Sequence, residues 1–473
     1  MKDKCLFIPD NLTINGGKPI KGEVEISGAK NAILGLMAAA LLTDEKVFLS
    51  NVPYISDVLE MGNILMDLGV RVKYNPKKKI LMLHAQKIKK NILSDKALKL
   101  RASYYLWGSL LARFKHTNEF KELKVLVPGG CSFGGKRPTD FHEQLIKNIF
   151  GAHISEEKIG EKHYLTFRLP DIETKNNQPI YTTAKVSHGA TFHWLLSIAG
   201  TKDVKMMYNS SLEPEVSNLI SMLKSMGLNI SGSERTGLIY GGKNEGLLKG
   251  GCFEVIPDRL EAGTYALLAL GTKGTIRIKN MNYEHSAPWL KQLTKTVNNG
   301  IYYSFDKKDL IVDFRDVDTY EGSYMQMSPF PGFETDLQQI WTPTLGLANS
   351  ESMIVDMIWP GRIAHLEEMK KFGLDSHVEQ IEVASSQDTT SKALFANIKP
   401  SKFVPAKAKG TDLRGTMAVI ILACIAKGKS QIDNPSFALR GYPNLIENLE
   451  KLGVDIKQSK EGTVVDCLPE LKD

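Results

Sequence analysis

Ile64-Leu65-Met66-Asp67-Leu68-Gly69-Val70-Arg71-Val72 is a helix-period apolar run that stops at a glycine and passes at once into period-two alternation. Glycine just past the last turn is a helix stop, because it alone enters the left-handed region without steric cost. The figure recurs at 145–154, 220–230, 293–303, 367–378 and 446–456, and its glycines (Gly69, Gly151, Gly227, Gly300, Gly373 and Gly453) lie 73 to 82 residues apart. That period is too long for a solenoid repeat. It suits a small α/β unit used six times.

Each period also holds a second, more apolar helix: GAKNAILGLMAAALL, LRASYYLWGSLLA, VSHGATFHWLLSIAG, DRLEAGTYALLALG, TDLQQIWTPTLGLA and DLRGTMAVIILACIA. A helix apolar all round is predicted to be buried, sheathed by strands and amphipathic helices. The first turns of these helices carry Lys30, Arg101, Lys185, Arg259, Asp336 and Arg414. Helix N-termini offer free amides and the positive end of the dipole, an anion site. One such residue alone reads as an ordinary exposed charge. Five cations and one carboxylate at equivalent points of six repeats point to function.

The chain has 473 residues, 42% of them hydrophobic and 24% charged, enough for two large domains without long disorder. A net charge of +7 fits anionic substrates and a lysine-rich surface equally. No basic stretch with interleaved aromatics marks a nucleic-acid interface, so no nucleic-acid partner is expected. The apolar runs 32–42 and 417–426 are too short to span a membrane, and the opening MKDKCLFIPDNLT lacks the apolar core of a signal peptide. The five cysteines, Cys5, Cys131, Cys252, Cys424 and Cys467, are scattered with no C-x-x-C pair. Neither zinc nor a disulfide framework is indicated, and a cytoplasmic setting is expected.

The segment Val127-Pro128-Gly129-Gly130-Cys131-Ser132-Phe133-Gly134-Gly135-Lys136-Arg137-Pro138 puts four glycines around one thiol, with two cations beside it. Such cations favour a thiolate or hold an anionic ligand. Two readings stand here: a lid with a chemical group at its tip, or an exposed turn with an incidental cysteine.

Taken in order, Ile26-Ser27-Gly28-Ala29-Lys30-Asn31-Ala32, Arg101-Ala102-Ser103, Pro128-Gly129-Gly130-Cys131 with Arg137-Pro138, Pro257-Asp258-Arg259, Thr335-Asp336, Asp412-Leu413-Arg414 and Arg440-Gly441-Tyr442 resemble the enolpyruvyl transferases over nearly the whole chain. The resemblance implies a two-domain inside-out α/β barrel of six βαβαββ-type units, with helices within. It places one domain at 29–255 and the other at 1–28 plus 256–473, with the active site in the cleft between them. It implies transfer of the enolpyruvyl group of phosphoenolpyruvate to a hydroxyl of a nucleotide sugar, UDP-N-acetylglucosamine, with release of phosphate and with no metal or organic cofactor.

Protonating a carbon while a hydroxyl loses its proton calls for an acid and a base at different points of one site. By resemblance, Cys131 is the proton donor, open to alkylation by a fosfomycin-type inhibitor, and Asp336 is the carboxylate beside the sugar hydroxyl, with Thr335 next to it. Lys30, Arg137 and Arg440 would hold the phosphate, and Arg362 and Arg414 the carboxylate of phosphoenolpyruvate. The nucleotide would contact Asn31, Arg101, Arg137, Pro138, Thr139, Asp140 and Phe141, and the run Lys185, Val186, Ser187, His188 and Gly189; Ile358 would lie near the sugar.

The sequence departs from the family pattern in several places. The cysteine loop is one residue longer, Glu334 replaces a proline, Trp359-Pro360-Gly361 replaces Phe-Glu-Asn, His188 replaces a small apolar residue and Leu212 an arginine. The extra length falls largely in 157–179 and 384–406. The phosphoenolpyruvate half is thus intact and the acceptor half altered. Competing readings are the same chemistry on another nucleotide or nucleotide sugar, and an inactive sugar-nucleotide sensor. The second would be expected to lose Cys131, Asp336 or an arginine, and all are present.

Overall fold

The periods share one plan, a strand, a buried helix, a second strand, an outer helix and a closing strand pair, with the first, fourth and sixth periods borrowing a strand from elsewhere in the chain. The computed structural model describes the chain apart from residues 1–4, 127–139, 161, 172–179, 183–184, 234–236, 243, 298–300, 305–307, 360, 385–389 and 473, and apart from the side chains of residues 140, 302–304, 381–384 and 390–393. The helix stops follow the glycine pattern. Gly69, Gly151, Gly227, Gly373 and Gly453 all adopt positive φ, between 63° and 103°. Gly300 lies outside the described residues. After four of them the next amide reaches back to the helix: Val70 to Leu65 (3.0 Å), Leu228 to Leu223 (2.9 Å), Leu374 to Met369 (3.3 Å) and Val454 to Leu449 (3.0 Å). This is the Schellman closure that satisfies the last carbonyls.

The chain divides into two compact units, Gly28–Ile256 with Asp466–Asp473, and Met1–Ser27 with Pro257–Val465. In the first, Gly251–Glu254 pairs in parallel with Lys46–Ser50, which continues antiparallel to the hairpin strands Ile80–His84 and Arg71–Asn75. A second sheet orders Ile180–Thr182, Lys205–Tyr208, Gly237–Tyr240 and Ile230–Ser233 in the same way. The third has three strands, and its parallel edge is reduced to the bridge between Ile92 and Lys124. The other unit repeats the plan in three four-stranded sheets.

The strand ahead of each buried helix explains the split in the chain. Lys21–Glu25 precedes the helix Lys30–Ala39 yet pairs with Thr275–Lys279, while Gly251–Glu254 precedes Arg259–Gly271 yet pairs with Lys46–Ser50. At both crossings the chain leaves its strand behind. Asn11–Gly16 likewise supplies the last strand of the sixth sheet, between Gly428–Asp433 and Asp455–Gln458.

One boundary differs from expectation. The C-terminal segment, expected to stay with 256–473, belongs with Gly28–Ile256, because Tyr74 N donates to Pro469 O (2.8 Å) and Leu471 N to Tyr74 O (3.0 Å). The cysteine pattern also misled. Cys5 and Cys467 are disulfide-bonded, whereas Cys252 and Cys424 are free.

In each unit three apolar helices pack on one another: Lys30–Ala39, Tyr105–Thr117 and His188–Ser197 in one, Arg259–Gly271, Thr335–Gly346 and Leu413–Ile425 in the other. Their residues are buried almost throughout. Contact is close: a Cβ on Gly35 would lie 2.1 Å from Phe192 Cε1. Among the described residues no helix is long and apolar enough to cross a membrane.

Gly453 has positive φ and open space around a would-be Cβ, so backbone strain alone sets the cost of a side chain there. Gly453→Ala is expected to lose about 1–2 kcal/mol in urea unfolding and Gly453→Asn clearly less. Gly35→Ala, which must push Phe192 aside, is expected to lose about 1–3 kcal/mol by overpacking. Equal stability of all three variants and the parent would refute both assignments.

Candidate active site

In the unit Met1–Ser27 with Pro257–Val465 the buried helices begin side by side, because apolar helices packed in parallel bring their first turns together. Asp258 and Asp412 cap two of them. Asp258 accepts from Leu260 N (2.8 Å) and Glu261 N (3.1 Å), Asp412 from Arg414 N (3.1 Å) and Gly415 N (3.2 Å). The amides expected to await an anion at these two helices are therefore already engaged.

Between the starts lies Asp336, on the first turn of Thr335–Gly346. Arg362 Nη1 donates to its Oδ1 at 2.7 Å, and Arg414 Nη2 reaches its Oδ2 at 3.5 Å. Both arginine side chains are at most 5% exposed, whereas Asp336 keeps 28%, so the accessible face of this triad is the carboxylate between two guanidiniums. Each arginine is aimed by further contacts. Arg362 Nε donates to Gln339 Oε1 (3.1 Å), whose amide nitrogen donates to Asp412 Oδ2 (3.0 Å). Arg414 Nη1 donates to Tyr442 OH (2.7 Å), which meets Thr264 Oγ1 at 2.9 Å. Burial opposes the charge on Arg414, but Tyr442, Asp336 and Asp258 outweigh it and its pKa stands above the ordinary arginine value.

Thr335 Oγ1 donates to Asp356 Oδ2 (2.6 Å) at the end of the strand Ser352–Asp356, and the other carboxylate oxygen accepts from Ile358 N (2.9 Å) and Trp359 N (2.8 Å). This Asp turn holds the half-buried Ile358. Burial pushes the Asp356 carboxyl above its usual range despite the bonds from Thr335 and Trp359 and the charge of Arg362. Arg440 follows the short helix Ser436–Leu439, and its segment lies at the start of Leu413–Ile425, where Gly441 sits so close to Leu413 that a Cβ would be 2.7 Å from it. Arg259, predicted as an anion-facing cation, is instead buried in an ion pair with Glu334, the residue that departs from the family pattern.

In the unit Gly28–Ile256 with Asp466–Asp473, Lys30 opens its helix and pairs with buried Asp57 at 3.0 Å; Asn31 follows it, half-buried. Arg101 opens a short 3-10 turn and lies 5.8 Å from the ring centre of Tyr104. Ser187 caps the helix His188–Ser197 by accepting from Ala190 N (3.2 Å), with His188 and Gly189 on its first turn. Lys185 is not in that turn. It lies on an exposed bend ahead of it, and Val186 is half-buried. Phe141 is in the first turn of Asp140–Phe150, its carbonyl accepting from Tyr181 OH (3.3 Å). Cys131, Arg137, Pro138 and Thr139 lie outside the described residues, as does the side chain of Asp140.

Asp336, Arg362 and Arg414, named from the sequence, lie together in one cluster, while the groups that aim them were missed. Tyr442 and Asp412 stood inside quoted motifs, whereas Gln339, Asp356 and Asp57 carry no local signal. Among the described residues no cluster of three or more His, Cys, Asp or Glu side chains could hold a metal ion.

Comparison with known proteins shows the family. A profile of the EPSP synthase (3-phosphoshikimate 1-carboxyvinyltransferase) family matches residues 14–449. UDP-N-acetylglucosamine 1-carboxyvinyltransferase 1 of Streptococcus agalactiae serotype Ia is 33% identical over 451 residues, covering 95% of this chain and 99% of that one. UDP-N-acetylglucosamine 1-carboxyvinyltransferase of Streptococcus pneumoniae serotype 2 is 35% identical over 447 residues, covering 94% and 98%. The crystal structure of the enolpyruvyl transferase NikO from Streptomyces tendae aligns with a TM-score of 0.79 at 19% identity, covering 97% of this chain and all of that one. The chain belongs to the EPSP synthase family. It is an enolpyruvyl transferase with that family's two-domain inside-out α/β fold.

Three buried histidines give the protein a measurable acid response. Burial lowers His365 and His193 to about 3, and burial, His193 and Arg101 hold His142 well below 6.5. The folded chain refuses protons that the unfolded chain takes up, so stability present above pH 6.5 falls as pH drops from there toward 3. Each histidine contributes up to about 1.4 kcal/mol per pH unit in that window. Urea unfolding across pH 4 to 7 should show this slope, and His365→Gln should reduce it by one histidine's share. A stability flat or rising on acidification would contradict the burial of neutral imidazoles.

Proposed function

We propose that this enolpyruvyl transferase moves the enolpyruvyl group of phosphoenolpyruvate onto a hydroxyl of UDP-N-acetylglucosamine, releasing phosphate, in the cytoplasm, as the first committed step of peptidoglycan precursor synthesis. The observation that carries the reading is Asp336 held by Arg362 and Arg414, in a chain matched almost end to end by relatives bearing that acceptor in their names.

In this reading the acceptor hydroxyl gives its proton to Asp336 as its oxygen bonds to C2 of phosphoenolpyruvate, while Cys131 gives a proton to C3. The resulting ketal then loses phosphate from C2 and a proton from C3, which restores the double bond. Arg362 and Arg414 receive the substrate carboxylate, for which planar paired donors are suited. Lys30, Arg137 and Arg440 receive the phosphate. Asn31, Arg101, Pro138, Thr139, Asp140, Phe141 and the run Lys185 to Gly189 hold the nucleotide, and Ile358 lies near the sugar. The pair of guanidiniums already binds a carboxylate, that of Asp336, so an incoming carboxylate competes for them and frees Asp336 to act as base. No metal or organic cofactor takes part in this reading.

Phosphate release from phosphoenolpyruvate should depend on UDP-N-acetylglucosamine. Turnover with another nucleotide or nucleotide sugar, but none with this one, would move the assignment to the altered acceptor half, with Trp359 as first suspect. Asp336→Asn should lower turnover roughly 10²- to 10⁴-fold, the usual worth of a general base. Arg362→Ala should raise the KM for phosphoenolpyruvate about 10- to 100-fold, from one lost charge-assisted pair. Fosfomycin should add to Cys131 by mass spectrometry. Cys424 is a poor competitor, its thiol pushed up to about 12 by burial. Adducts confined to Cys252 or Cys424 would refute the role of Cys131.

A further inference from the structure

Three of the segments proposed to hold the nucleotide meet at two buried histidines that no motif singled out. His142 directly follows Phe141, and His193 lies five residues after the first turn's His188 on the helix His188–Ser197. Their Nδ1 atoms are 3.0 Å apart, and they are 6% and 0% exposed. A bond between two such nitrogens needs one N–H and one lone pair, so the rings are complementary tautomers rather than two cations. On its other side His142 stacks on Tyr104, with ring centres 4.0 Å apart and planes inclined by 29°. Tyr104 in turn lies beneath the Arg101 guanidinium, and its hydroxyl is 2.3 Å from where a Cβ of Gly189 would be, so Gly189 is pressed against it. Trp107 closes the cluster edge-on to both imidazoles, at 6.4 and 6.3 Å.

Plain packing would be served by apolar side chains, since replacing both members of a buried hydrogen bond by apolar groups is often nearly neutral. The fold instead keeps a polar pair here, and His193 Nε2 has no hydrogen-bond partner among the described residues. A directed bond does what apolar contact does not: it sets both the distance and the rotation of the start of one helix against the middle of another. Every element it joins carries a residue of the proposed acceptor subsite.

We propose that the His142–His193 pair is a positioning device of the acceptor subsite: it fixes the start of Asp140–Phe150 and the Tyr104 ring behind Arg101 against the turn carrying Ser187, His188 and Gly189. This rests on the reading that these segments bind the nucleotide diphosphate of the acceptor. His142 and His193 are positioning residues and do not themselves enter the chemistry.

The test compares His193→Leu, which keeps bulk and loses the bond, with His193→Gln, which keeps a donor and an acceptor. In steady-state assays of the full chain, His193→Leu should raise the KM for UDP-N-acetylglucosamine tenfold or more, with kcat and the KM for phosphoenolpyruvate within twofold of the parent. His193→Gln should recover most of the loss. Amide hydrogen exchange without ligand provides a readout independent of the acceptor. Residues 101–104 and 187–191 should exchange at least tenfold faster in His193→Leu, while Leu413–Ile425 in the other unit stays unchanged and reports an intact fold. Unaltered exchange at 101–104 and 187–191 overturns the proposal, as does an equal fall of kcat with both KM values unchanged. A parent enzyme that neither turns over UDP-N-acetylglucosamine nor binds UDP by calorimetry overturns the functional reading instead, and the exchange arm still decides the pair.

Discussion

A helix without a polar face cannot lie on a surface, and each unit of this protein contains three. Residues 413 to 424 are all buried, as are the central turns of the other five apolar helices. At about 25 cal/mol per Å² of apolar surface, leaving one face of such a helix wet would cost several kcal/mol, comparable with the net stability of a domain. Covering all sides therefore dictates the rest. Sheets and outer amphipathic helices surround a trio of helices, and the βαβ connections within a unit run the three in the same sense.

Running them in the same sense has a chemical consequence. Three N-termini arrive at one end of the trio, where strand ends and loops also gather. In the unit Met1–Ser27 with Pro257–Val465 this end is charged and buried at once, a combination that is stable only when every charge is paired. The pairing is specific: Asp258 and Asp412 satisfy helix amides, Glu334 takes Arg259, and Asp336 takes both Arg362 and Arg414. Of these groups only Asp336 retains partial exposure, so the pairing leaves that carboxylate as the accessible charge of the cluster.

The departures from the family pattern acquire physical content in this setting. Glu334, standing where a proline is usual, is the buried partner of Arg259, so it settles a charge rather than altering the backbone alone. Trp359 belongs to the Asp356 turn through its amide, so Asp356 keeps the turn whatever side chain stands at that position. The same division recurs in the other unit, where Ser187 caps its helix while His188 leans on Phe192 at 4.4 Å.

The linear chain determined the number of repeats, the buried helices and the stops of the outer helices, because these depend on short-range periodicity and on glycine's access to positive φ. Asp336 and Arg414 stand in readable motifs, whereas Arg362 follows a segment that departs from the family pattern. The linear chain left undetermined which side chains aim them. Gln339, Asp356 and Tyr442 act across 21 to 28 residues of separation or through a neighbouring helix start. The return of Asp466–Asp473, the pairing of Arg259 and the meeting of His142 with His193 were likewise decided by the tertiary structure alone. Each is a contact between residues far apart in sequence, and such contacts are chosen by which surfaces packing leaves adjacent, something no local pattern of residues encodes.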